Sequence, residues 1–187
     1  MSRFVFHHQN PQRIIVATVG LPGERQFFLQ VTSEDSSTCV SIEKSQVSAL
    51  SERIRLMIRE LRRNQLASLD ELGIPSTREN GTLDFPITED FRVGVLGISW
   101  DQESQRIVVE AQSVGDESFT ELLAEDQAAL IEDAPDILSF SMRIHQARSF
   151  CDLADAVVSS GRQPCPFCGL PIDPLGHLCP RANGYRR

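Results

Sequence analysis

No apolar run in this chain approaches the roughly 20 residues that a bilayer-crossing helix needs. The opening residues, MSRFVFHHQNPQR, lack the long apolar stretch of a secretory signal, so none is expected. Catalytic templates are missing as well. There is no His-Glu-x-x-His, no Gly-x-Ser-x-Gly and no Walker-type lysine loop, which removes the usual marks of a zinc protease, an α/β-hydrolase or a P-loop NTPase. Lysine itself is nearly absent: of 18 basic residues only Lys44 is one, and it has no glycine-rich surroundings. That bias reads more simply as the codon usage of a GC-rich genome than as selection for bidentate anion contacts. Carboxylates abound, but their spacing singles out no acid/base pair. The sequence thus names no catalytic residue.

What is present is ordinary for a globular protein. A chain of 187 residues with an apolar fraction of 41% fits one domain, or one domain with a small appendage. The net charge of −8 speaks against nucleic-acid binding by the chain as a whole. The charge is uneven, however: from Gly161 onward Arg162, Arg181, Arg186 and Arg187 face a single acid, Asp173, so this end carries about +3. Cysteine is odd in number, five, with three bunched near the end and Cys39 and Cys151 alone in apolar segments. A reduced, cytoplasmic compartment with a metal site explains that pattern better than a secreted disulfide framework.

Periodicity divides the chain. RIIVATV, RQFFLQV and TCVSI read as strands, with Phe27, Leu29 and Val31 on one face of the second. A helix follows from about Ser45, an expected N-cap, to Arg63, with Val47, Leu50, Ile54, Met57 and Leu61 at helical spacing. A short helix is expected near Leu66 to Leu72. FRVGVLGISWD and QRIVVEAQSV read as a hairpin; ILSFSMR and a helix from about His145 to Ser160 complete the second half. Val40-Ser41-Ile42 and Gln46-Val47 can be laid over Phe140-Ser141-Met142 and Gln146-Ala147. The expectation is an α+β fold: a degenerate βββα duplication giving a mostly antiparallel sheet with both helices on one face. The domain would span 1–160, with halves 1–64 and 90–160, followed by a tail at 161–187. The acidic stretch from Asp116 to Asp136 reads as a solvated connector.

The tail carries the most specific chemistry. Cys165-Pro166-Phe167-Cys168 supplies a Cys-x-x-Cys, and His177 and Cys179 supply a His-x-Cys shortly after. Three thiolates and an imidazole are a common structural zinc set, and a segment this short cannot bury a core of its own, so the metal would supply its fold. With four protein ligands no position stays open, which disfavours catalytic zinc; Asp173 as a competing ligand would reopen that question. A thioredoxin-type redox pair needs its first cysteine at a helix N-terminus after a strand, and here the pair follows a helix-ending Gly-Arg-Gln-Pro. Beyond the ligands, Arg181, Asn183, Tyr185 and Arg186 combine cation, amide and aromatic groups fit to grip a partner or an anion. Elsewhere, Arg55, Arg59 and Arg62 read as a solvated helix face with local ion pairs, and His7 and His8, adjacent on a strand, would point to opposite faces.

TVGLPGERQFFLQV, SIEKSQVSALSERI, FRVGVLGISWD and the ending CPFCGLPIDPLGHLCPRANGYRR together resemble the actinobacterial domain of unknown function 3090 family across nearly the whole chain. The resemblance implies a cytoplasmic protein without an assigned activity, with the family's ligand pattern intact at Cys165, Cys168, His177 and Cys179. The reading that follows is a non-enzymatic interaction or regulatory module with a structural Zn2+, using its basic tail to hold a protein partner. Two rivals are an enzyme acting on a phosphorylated small molecule through an arginine clamp, and an RNA- or ribosome-associated factor.

Overall fold

The computed structural model describes residues 4–21, 23–75, 81–114, 135–161, 165–170, 172 and 178–181. Seven strands form one sheet: β1 (Val5–His8), β2 (Arg13–Val19), β3 (Gln26–Thr32), β4 (Ser37–Ile42), β5 (Phe91–Asp101), β6 (Arg106–Ser113) and β7 (Ile137–Met142). The described helices are α1 (Lys44–Arg63), α2 (Leu69–Gly73) and α3 (Ile144–Ser159). The strand order is β1-β7-β6-β5-β4-β3-β2. Pairings within β2-β3-β4 and within β5-β6-β7 are antiparallel, while β4 with β5 and β1 with β7 are parallel. The fold is therefore α+β on a mixed sheet, each half an antiparallel meander followed by a helix. The expected acidic connector falls largely outside the described residues.

This order imposes curvature. β1 and β2 lie at opposite edges of the sheet, yet only residues 9–12 join them. Five Cα steps reach at most about 19 Å, whereas the edges of a flat seven-stranded sheet stand roughly 29 Å apart. The sheet must coil until its edges approach. His8 records that approach: its Nε2 meets Thr38 Oγ1 of β4 at 2.9 Å and its Nδ1 meets Ser33 Oγ at 2.8 Å. The ring is 2% exposed.

The inward face of the sheet and the two long helices share one core. Val16, Leu29, Val40, Val109 and Phe140 meet Val47, Leu50 and Ile54 of α1 and Ala147, Phe150 and Ala154 of α3. This alternation along the strands and 3.6-residue spacing along the helices put both helices on the same face. α3 also packs along β2, shielding an otherwise bare edge. Between the helices, Arg55 reaches Asp152 and Asp155, both at 2.8 Å, and Ser51 Oγ donates to Asp155 at 2.7 Å. Arg55 thus ties two helices together; the expectation of local pairs along its own helix missed this partner. On the opposite face, Ile15, Ala17, Phe28 and Cys39 are covered by residues 81–90 through Leu83 and Ile87. Gln30 and Asp84 exchange two bonds, the Asp90 amide donates to the Cys39 carbonyl, and the Cys39 amide donates to the Asp90 carboxylate; together these fasten that strap.

The helix starts show why two expected boundaries shift. Glu43, not Ser45, is the N-cap of α1, because the Gln46 side chain accepts the Glu43 amide at 2.9 Å. Arg143 caps α3 in the same way through Gln146, again at 2.9 Å. Each glutamine then donates onward, Gln46 to the carbonyls of Val93 and Gly94 and Gln146 to that of Pro11. Among the described helices none is long and apolar enough to cross a membrane.

Burial, with the charge of His7 beside it, lowers the pKa of His8 below the usual 6.5. A base held neutral by the fold stabilises it fully above the unfolded pKa and loses that contribution as pH falls towards the lowered one. Urea unfolding should therefore show stability declining as pH drops below about 6.5, and His8→Gln should flatten that decline. Parallel pH profiles for the two proteins would refute the assignment.

Candidate metal centre

The tail begins where α3 ends. Arg25 Nη1, from the turn between β2 and β3, donates to the carbonyl and hydroxyl oxygens of Ser160 at 2.9 and 3.0 Å. That contact fixes the point from which the chain departs. At Cys165 the main chain closes a tight loop: Gly169 N donates to Cys165 O and Cys165 N to Leu170 O, each at 2.8 Å. Gly169 sits at φ +75°, the left-handed region that a Cβ disfavours by about 1–2 kcal/mol. The sequence Cys-x-x-Cys-Gly is thereby read as a turn that aims both sulfurs inward.

Cys179 returns to the same point. The sulfurs of Cys165, Cys168 and Cys179 all lie within 4.8 Å of one another, and those of Cys165 and Cys179 are 3.7 Å apart. Two thiolates on one tetrahedral zinc, each at about 2.3 Å, stand about 3.8 Å from each other. The three thiols thus mark out one face of a coordination tetrahedron. Cys165 and Cys179 are buried and Cys168 is half-buried. Burial raises the Cys165 pKa, but the amides of Phe167 and Cys168 and the thiols of Cys168 and Cys179 outweigh it and bring it to about 7. Cys168 moves the other way, raised first by burial and then by its thiol neighbours. One sulfur of the group is therefore poised as a thiolate, the form in which cysteine binds metal.

Of the other expected site residues, Arg181 is exposed and donates from Nη1 to the Phe167 carbonyl at 3.2 Å, folding back over the loop. The expected fourth ligand, His177, lies outside the described residues, as do Asp173, Asn183, Tyr185 and Arg186. The donor set suits a soft divalent ion: three sulfurs close enough to share it, with amide donors around them. When bound, such an ion crosslinks the loop.

The two remaining thiols behave differently. Burial pushes both Cys39 and Cys151 up to about 11, with Asp90 and Glu89 adding to the effect at Cys39. A charged cleft of about 350 Å³ lies at the start of α1. There Arg25, Lys44 and Arg92 are matched by Glu24, Glu43 and Glu89; Arg92 pairs with Glu43 and Arg25 holds Ser160.

Residues 6–179 match the family described as protein of unknown function (DUF3090), and the chain belongs to that family. No curated protein and no solved structure matches it.

Metal analysis of the purified chain should find about one zinc per molecule, absent from a Cys165→Ser/Cys168→Ser variant. After chelation, three thiols should react with a disulfide reagent at neutral pH, while Cys39 and Cys151 stay silent until the chain unfolds. Metal retained by the double variant would remove these cysteines from the site.

Proposed function

We propose that the chain is a non-enzymatic, zinc-binding interaction module of the cytoplasm, whose metal-held loop presents the basic tail to a protein partner. The convergence of Cys165, Cys168 and Cys179 carries this reading. His177 would supply the fourth ligand, making the ion structural and the tail rigid without a core. What the loop turns outward supports a docking role: Phe167 is 63% exposed, Leu170 52% and Leu178 84%, with Arg181 beside them. A metal staple that leaves its apolar side chains in water, next to cations, is built to meet an apolar surface with an acidic rim. Free thiols at Cys39 and Cys151 accord with a reducing compartment.

The two halves also support descent from one duplicated βββα unit. Val40 and Phe140 face inward, Ser41 and Ser141 outward, and Gln46 and Gln146 make matching caps. A profile built from the first halves of related chains should then detect their second halves at a constant offset; failure to do so would count against duplication.

Affinity enrichment with three baits tests the docking role: the intact chain, a chain lacking residues 180–187, and Phe167→Ser/Leu178→Ser. A partner held by the intact chain should be lost from both variants, with the thermal stability of the body unchanged. Equal capture by all three baits would defeat the reading.

A further inference from the structure

On the outward face of the sheet, away from the helices, a groove of about 500 Å³ runs over β6, β7 and β1. Its floor is made of side chains that alternate away from the core: Arg106 and Val108, Ser139 and Ser141, and His7, the parallel partner of Ser139. Asn10, from the link after β1, closes one side. A second hollow of about 540 Å³ continues from His7 and Asn10 towards Glu34 and Asp35 in the turn before β4. Neither hollow belongs to the metal centre.

Arg106 is the residue that asks for an explanation. It sits directly across from Asp101 in the β5–β6 ladder, where an ion pair would be expected. None forms. Asp101 instead turns its carboxylate onto its own loop, accepting the Ser104 hydroxyl at 2.5 Å and the Glu103 amide at 3.0 Å. Those bonds hold Asp101 below the usual carboxylate range. Arg106 is left without an acid among the described residues, and its Nη1 is sealed from solvent with no hydrogen-bond partner. A charged donor kept out of water and unpaired is costly, and a small turn of the guanidinium towards the groove would let an incoming acceptor satisfy it.

We infer that this groove binds a small, hydroxyl-rich oxyanion, a sugar phosphate or a sugar acid, with its anionic group at Arg106. The guanidinium fork suits the planar or tripod oxygens of such a group. The hydroxyl of Ser139, the Ser141 oxygen as an acceptor (its proton goes to the Gln9 carbonyl) and the amide of Asn10 suit the alcohol groups of its body. Asp101 also lines the groove, its carboxylate held by Ser104 and Glu103, and Glu34 and Asp35 line the far hollow, so Arg106 is where the anionic group is met. No aromatic ring of the described lining is placed to stack a nucleobase, since Phe140 is 1% exposed and points to the core.

Calorimetric titration of the full zinc-loaded chain with glucose 6-phosphate, gluconate and uncharged glucose tests this. One or both anions should bind and glucose should not; which anion binds decides between phosphate and carboxylate. Arg106→Gln should weaken that binding by about tenfold or more, while far-UV circular dichroism and metal content stay as in the parent. No heat from either anion at millimolar concentration, equal affinity in Arg106→Gln, or glucose binding as well as the anions would overturn the proposal. Should Arg106→Gln fail to fold, Ser139→Phe fills the floor of the groove and leaves the cation in place. Its loss of binding would uphold the site, and unchanged binding would sink it. Because metal content and residues 178–181 are untouched in these variants, the outcome is separate from that of the docking loop.

Discussion

The short link between β1 and β2 is the constraint on which the rest of the structure depends. Residues 9–12 must bring together strands that stand at opposite ends of a seven-strand order. The sheet answers by coiling, and coiling creates an inside. α1 and α3 fill that inside, and α3 at the same time shields the edge of β2. The carbonyl of Pro11, within the link, receives Gln146 from the first turn of α3, so the helix start and the link are held as one. Lengthening the link would relax the sheet and loosen the contact of His8 with Thr38.

Body and tail are stabilised by different physics. The body buries a continuous apolar core between sheet and helices, the dominant favourable term for a chain of this size. Its surface ion pairs, such as Arg13 with Asp84 or Arg92 with Glu43, are half-exposed and add little, about 0–1 kcal/mol each. Among its described residues the tail shows no such core: Phe167, Leu170 and Leu178 stay in water. What holds it is the turn at Gly169 and the convergence of three sulfurs. Binding of a metal there would be folding energy for the tail alone, leaving the body to stand on its own packing.

Much of this was legible in the sequence, because period and turn chemistry are local. Strict alternation puts Phe27, Leu29 and Val31 on the core face of β3, and the Cys-x-x-Cys-Gly string aims two sulfurs at one point. The features that escaped are non-local. β1 is four residues long and its pattern carries a histidine where an apolar residue would announce a strand. Its parallel pairing with β7 crosses almost the whole chain, and no short window records it. Arg55 looked like any solvated arginine until α3 came alongside with Asp152 and Asp155. Arg106 is subtler still: only the absence of an expected cross-strand bond makes it unusual, and absence leaves no motif.

The two halves share one arrangement at the start of each long helix. Val40 of β4 pairs with Phe91, and Gln46 reaches the carbonyls of Val93 and Gly94 just beyond. Phe140 of β7 pairs with His8, and Gln146 reaches the carbonyl of Pro11 just beyond. β1 therefore stands to the second half as the start of β5 stands to the first. At equivalent points one half buries a phenylalanine, 8% exposed, and the other a histidine, 2% exposed. A buried imidazole demands two partners where a phenyl ring demands none, and Ser33 and Thr38 meet that demand at the place where the sheet edges approach. The histidine breaks the local preference for an apolar core position, and its compensation lies in the closure of the sheet. Its neighbour His7, on the other side of the strand and paired with Ser139, lines the polar groove on the outer face. The strand that closes the sheet thus also shapes the hollow beside it: His8 ties β1 to Thr38 of β4, and His7, the residue before it, borders the groove.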